Sequence, residues 1–253
     1  MLDYGVEHAT ENESCDQSMK VLLQTVESTK SLPSLLSVSF VVVKVTAICT
    51  PRLLKRVSDL LRWERKSPSF NLPWKQKTLP LFADSSPLYH TSKKPEPLTQ
   101  EEERGFQLAH ERLTKICKKC VELDVDLLID AEDTAIQPAI DYFAYSAAIK
   151  YHKDDHPLIF GTIQTYLKDS KERMHTHDCF NSCAEFMIHE IANGSGAVVL
   201  ATHNIESGKL AASKAIDLGI RKDGQKLQFA QLYGMADGLS FGLRNAGFQE
   251  GVK

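Results

Sequence analysis

The hydropathy of the chain follows one repeated pattern: a short apolar run ends abruptly in polar residues and is followed by an amphipathic stretch of helical period. Leu127-Leu128-Ile129 breaks into Asp130-Ala131-Glu132-Asp133, with a helical period over residues 99–122 before it and another over 138–151 after it. Residues 39–46 form the clearest strand, β-branched almost throughout. Further strands are expected at 158–164, 197–204 and 227–234, with a weaker one at 2–6, which gives six strands. Helices are expected at 14–30, 51–65, 207–218 and 236–246, besides the two above. Buried strands alternating with helices are the repeating unit of a parallel α/β protein.

The polar ends of these strands are where such folds keep their chemistry. Lys44, Asp130, Gln164, Thr202-His203-Asn204 and Gln231 all stand at or near carboxyl strand ends. Five strands ending this way favour a (β/α)8 barrel with one active face. No Gly-x-Gly-x-x-Gly follows any strand, which counts against a dinucleotide-binding Rossmann sheet. Asp130 is the first candidate for a working residue, whereas Glu132 and Asp133 read as caps of the next helix. Lys44 interrupts an apolar run, and is either an edge-strand gatekeeper or an inward-pointing functional cation.

Composition narrows the classes further. The chain has 253 residues, 42% of them hydrophobic and 25% charged, an ordinary globular balance whose length suits one barrel-sized domain or two small ones, and one barrel domain over 1–253 is expected. A net charge of −3 offers no basic surface for nucleic acid. The longest apolar run, residues 40–43, is far too short to span a membrane. Six cysteines are too sparse for a disulfide scaffold, so reduced, buried thiols are expected. The first residues have none of the features of a targeting leader. Residues 67–97 hold six of the ten prolines and read as an insertion, pinned at its start by Trp63 and Trp74. Thr99 and Glu102 then have capping-box spacing.

Two groups look like metal sites. Cys117 and Cys120 sit mid-helix with no matching second pair, and read as core and surface thiols rather than zinc ligands. His175, His177, Cys179 and Cys183 could share a zinc ion, but two helical patterns meet there where a strand is due. The simpler account is a missing strand, and no metal site is assigned.

The strand-end motifs Val42-Val43-Lys44-Val45-Thr46-Ala47, Leu128-Ile129-Asp130-Ala131-Glu132-Asp133, Thr162-Ile163-Gln164, Ala201-Thr202-His203-Asn204 and Ala230-Gln231-Leu232-Tyr233-Gly234 resemble those of the proline dehydrogenase family, most closely its plant mitochondrial form. The similarity covers nearly the whole chain, including the insertion and Leu88-Tyr89-His90. It implies a barrel that binds FAD and oxidises L-proline to Δ1-pyrroline-5-carboxylate, in proline catabolism to glutamate, passing electrons to quinone. It also implies a mitochondrial location with peripheral contact to the inner membrane. By the same resemblance Asp130 and Lys44 are catalytic, with Lys44 near the flavin and the proline carboxylate. Ala131 sets backbone against the flavin ring, Gln164 bonds the ring, and Thr202 with His203 holds the phosphate and adenosine side.

The sequence departs from the family pattern in three places. Between Met174 and Cys179 a basic strand of the type Lys-Leu-Val-Arg-Gly-Ala-Tyr is absent. The eighth strand and its helix with paired arginines have no counterpart after Phe248, and Asp3 interrupts the first strand. The expectation is therefore an incomplete barrel, with a truncated, non-catalytic remnant as the alternative to an enzyme. A hydroxyproline dehydrogenase and a zinc-binding module are less favoured readings.

Overall fold

The computed structural model describes residues 2–31, 40–67, 69–75, 91–151, 158–164, 173–224, 226–232 and 234–252, with the side chains of 173–179 and 249–252 left out of the description. The chain forms two compact units, Leu2–Ile163 and Gln164–Lys253.

In the first unit four parallel strands pair in chain order: β1 (Leu2–Asp3), β2 (Val41–Val43), β3 (Leu127–Ile129) and β4 (Ile159–Gly161). Helices α1 (Asn12–Ser28), α2 (Pro51–Lys66), α3 (Gln100–Leu123) and α4 (Gln137–Tyr151) form the connections. The second unit repeats the scheme with β5 (Val198–Ala201), β6 (Leu227–Gln231) and β7 (Gln249–Val252), again parallel and in chain order. Its helices are α5 (Arg173–Ala192), α6 (Ile205–Asp217) and α7 (Asp237–Asn245). Sequential order without a reversal is the barrel arrangement, since doubly wound sheets switch direction once.

The described residues therefore hold seven parallel strands, one more than the hydropathy pattern predicts. Gln249-Glu250-Gly251-Val252 has no apolar alternation. It becomes a strand because it pairs with the backbone of β6, from Gln228 opposite Gln249 to Gln231 opposite Val252.

Strand alternation sorts the first sheet into two faces. Val41, Val43, Leu127, Ile129 and Ile159 pack with Leu22, Val57, Ile116 and Phe143 of the four helices in one apolar core. The other face carries Val42, paired with Leu128, which pairs in turn with Phe160. Two positions further along, this face continues to Lys44, Asp130 and Thr162. The second unit has its own core, in which Leu200, Leu227 and Phe229 meet Ile188, Ala211, Ala215 and Leu243.

The local signals act as expected. Glu102 donates its backbone N–H to the Thr99 hydroxyl at 3.2 Å, and Thr99 N–H returns a bond to the Glu102 carboxylate at 2.9 Å. Trp74 packs edge-on against Phe106 and Tyr142, with ring centroids 5.0 and 5.7 Å away, and Lys75 pairs with Glu64. These contacts tie the start of the insertion to α2, α3 and α4, while Trp63 stays on α2 beneath Lys66. Cys117 and Cys120 are both buried in the core, where desolvation pushes each thiol up to about 12. The remainder of the insertion (residues 76–90, Leu88-Tyr89-His90 among them), the helix end at 32–34, His156-Pro157 and the start of the helical pattern at 166–172 lie outside the described residues.

Candidate functional site

The first unit gathers its polar residues at the carboxyl ends of β1, β2 and β3. Lys44 is the first residue after β2 and Asp130 the first after β3. The Asp130 N–H donates to the Val43 carbonyl at 3.0 Å, which extends the ladder and holds the two side chains next to each other. Lys44 Nζ donates to Asp130 Oδ2 at 2.9 Å and lies 3.0 Å from Glu7 Oε1, on the loop after β1. The side chains of Lys44 and Asp130 are 15% and 16% exposed, against 45% for Glu7, so the pair is screened from water and the third partner is not. Burial works against the charge on Lys44, but the bonds and charges of Asp130 and Glu7 outweigh it and raise its pKa above the lysine range. Lys44 is therefore an inward cation and not an edge gatekeeper. Ala131 donates its N–H to Asp130 Oδ1 at 3.1 Å, which fixes the carboxylate's second oxygen.

Glu132 does something other than the helix capping expected of it. Its Oε1 accepts the Thr46 N–H at 3.1 Å and its Oε2 takes a short bond from the Thr46 hydroxyl. Burial raises the Glu132 pKa, opposed by these two donors and by Lys44. Asp133 keeps the local role, accepting the Ala135 N–H at 2.6 Å. Glu7 and Glu132 are the site residues that the sequence pattern did not single out. The signal available was only their type and their distance of a few residues from a strand end.

In the second unit, Thr202 continues β5 through its N–H to the Ala230 carbonyl at 3.2 Å. Its hydroxyl oxygen accepts the Asn204 N–H at 3.1 Å, and Asn204 caps α6 by accepting the Ser207 N–H at 2.8 Å. His203 Nε2 accepts the Leu232 N–H at 3.0 Å, so that nitrogen carries no proton and the N–H of a neutral ring is at Nδ1. Gln231, 3% exposed, accepts the Ser240 hydroxyl at 3.1 Å, while its amide nitrogen has no partner among the described residues. Gln164 lies beyond β4 and is half-buried. The structure thus brings Lys44, Asp130 and Ala131 together in one unit, and Thr202 and His203 together in the other.

Of the metal-like cluster, the side chains of His175, His177 and Cys179 lie outside the description, and Cys183 is an exposed free thiol. From Arg173 to Ala192 the chain there is one continuous helix. No group of three or more metal-ligating residues occurs among the described residues.

Comparison with known proteins decides the family. The family model for proline dehydrogenase matches residues 1–177 and 171–252, nearly the whole chain. The chain belongs to the proline dehydrogenase family. It is 51% identical over 295 positions to proline dehydrogenase 1, mitochondrial, of Arabidopsis thaliana, covering 98% of this chain and 59% of that protein. It is 50% identical to proline dehydrogenase 2, mitochondrial, of the same plant, covering 98% and 62%. The chain thus spans about three-fifths of the length of these relatives. Among solved structures it is similar to proline utilization A from Bdellovibrio bacteriovorus, with a TM-score of 0.68 at 13% identity, covering 100% of this chain and 27% of that one. That likeness carries the fold: α/β, of the TIM-barrel type, incomplete.

The two family matches meet at 171–177, and the alignment is at least 42 positions longer than the 253 residues available to it. An internal segment of the proline dehydrogenase pattern is therefore absent, and the two matches meet at the start of α5.

Proposed function

We propose that this chain carries the flavin- and substrate-facing strand ends of a proline dehydrogenase, which oxidises L-proline to Δ1-pyrroline-5-carboxylate with FAD and passes the electrons to quinone. The observation that supports it most is the Lys44–Asp130 pair at 2.9 Å, formed by adjacent inward positions of β2 and β3. Bound FAD would supply the acceptor for the hydride leaving the carbon beside the proline nitrogen.

The residues of the second unit fit the phosphate-rich side of that cofactor. The Thr202 hydroxyl hydrogen, the His203 Nδ1–H and the N-terminus of α6 are all donors, which suits an anionic ligand rich in acceptors. Gln164 and the Ala131 backbone are assigned to the flavin ring.

In the first unit, two carboxylates (Glu7 and Asp130) bond one cation, Lys44. This excess of negative charge receives the amine end of proline, which Asp130 orients. The Lys44 ammonium has three donors, two of them directed to Asp130 and Glu7, and the third is the one offered to the substrate carboxylate. Mitochondrial location with peripheral contact to the inner membrane belongs to the same reading. No helix among the described residues is long and apolar enough to cross a membrane.

The test is the absorbance spectrum of the purified chain before and after adding L-proline, with trans-4-hydroxy-L-proline as the competing substrate. A flavin spectrum bleached by proline supports the reading, and bleaching by hydroxyproline alone reassigns the substrate. The absent internal segment favours a second reading, a non-catalytic remnant. A bound flavin that neither amino acid bleaches selects that reading.

A further inference from the structure

Thr46 is fully buried, at 0% exposure, in the short 3-10 turn that follows Lys44. Its polar groups all run to other strand ends. The N–H and the hydroxyl go to Glu132, as described, and the carbonyl accepts the Ala9 N–H at 2.8 Å. The spacing is the same on all three loops. Ala9 lies two residues after Glu7, Thr46 two after Lys44, and Glu132 two after Asp130. The ion cluster Glu7–Lys44–Asp130 therefore sits on a second layer, Ala9–Thr46–Glu132, that bonds the same three loops one step further from the sheet. Glu132 is in turn held by its own N–H, which donates to Gln137 Oε1 at 2.9 Å, and Gln137 is tied to Asp141 at 2.8 Å on α4.

We propose that Glu132, acting through Thr46, is a positioning residue: the clamp holds the three loops in register and so keeps Lys44 within reach of both Asp130 and Glu7. A cation on a flexible four-carbon stem has no fixed geometry of its own. Lys44 is an N-terminal neighbour of the turn, extended at φ −94°, ψ 125°, and its direction follows from where the turn is anchored. The anchor is a fully buried hydroxyl bonded to a carboxylate inside the protein, where such a bond is stronger and its loss more costly than at the surface. The kinetic part of this proposal rests on the function proposed above, and the structural part does not.

The experiment compares Thr46→Val with Thr46→Ser in the full chain. Valine keeps the volume, the backbone N–H and the nearby Glu132 charge, and removes only the hydroxyl. Thr46→Ala serves the same purpose in a roomier form if valine does not fold. The first readout is the rate at which acetic anhydride modifies Lys44, followed by peptide mass spectrometry, with the exposed Lys209 as internal reference. Loss of the clamp should speed Lys44 modification about tenfold, the change in neutral amine produced by one unit of pKa. Thr46→Ser should restore slow modification, and Glu132→Gln should be at least as fast as Thr46→Val. The second readout is the reduction of bound flavin by proline, where the loss should fall on KM and leave kcat within about twofold. A folded Thr46→Val protein whose Lys44 reacts at the wild-type rate overturns the proposal. If the wild-type chain shows no reduction by proline, the proposed activity fails, and the modification rates still decide the role of the clamp.

Discussion

Lys44 and Asp130 are 86 residues apart in the chain, yet their charged groups meet at 2.9 Å because β2 and β3 are parallel neighbours in register from Val41 opposite Leu127 to Val43 opposite Ile129. The pair is mostly buried; the cation also lies 3.0 Å from Glu7 Oε1, and the carboxylate also accepts the Ala131 N–H at 3.1 Å. The two members of the pair are therefore not equivalent.

Asp130→Ala should abolish bleaching of the flavin by proline, because the carboxylate that orients the amine is gone. Its cost in stability should be modest, about 1–2 kcal/mol, since Lys44 keeps Glu7 at 3.0 Å. Lys44→Met removes the cation that both Asp130 and Glu7 bond and should cost more, about 3 kcal/mol. Urea unfolding of the two variants measures the order, and a larger loss for Asp130→Ala would contradict it.

Arg112 should be the most stability-critical charge of the first unit. It is 2% exposed and joins three segments, donating to Asp16 at 2.7 Å, to the Ile48 carbonyl at 3.1 Å and to Asn12 through both its carbonyl and its side chain. Arg112→Met keeps the stem and leaves these acceptors unmet, at a cost of about 3–5 kcal/mol. The midpoint of urea unfolding should fall sharply with little change in slope.

Stability should fall as pH drops from 6.5 toward 4 because of His110. This ring is packed among Phe106, Tyr142 and Phe143, with centroids 4.7, 5.7 and 4.3 Å away, and burial, helped by the charge of Lys150, lowers its pKa from 6.5 to about 4. Above 6.5 the ring is neutral in both states. Below it the unfolded chain takes up a proton that the folded chain refuses, and the penalty grows to about 3 kcal/mol once pH is under 4. His110→Phe should flatten this part of the profile, and the difference between the two pH curves isolates the contribution.

Thr99→Ala should cost about 1 kcal/mol by removing one half of the capping box of α3. Thermal unfolding of the variant measures it. Thr99→Ser, which keeps the hydroxyl, should unfold close to the wild type.

The strands and helices were largely legible in the sequence because their signal is local. A β-branched run, a 3.6-residue period and a Thr-x-x-Glu spacing each determine the nearby backbone through sterics and short-range hydrogen bonds. Lys44 and Asp130 could be singled out for a similar reason: a charge that breaks an apolar run at a strand end is visible without knowing its neighbours. β7 was not legible, since Gln249-Glu250-Gly251-Val252 has no pattern of its own and exists as a strand through pairing with β6. Glu132 read as a helix cap because an acid before a helix usually is one. Its actual partner, Thr46, is 86 residues away.

By itself, then, the sequence determined the alternation of strand and helix, the family it resembles, and which strand ends carry polar residues. Only the tertiary structure decided which of those residues meet: Glu7 and Asp130 on Lys44, Glu132 and Ala9 on Thr46, and Leu232 on His203. Those contacts depend on the parallel register of neighbouring strands, which a residue's own neighbours in sequence do not encode.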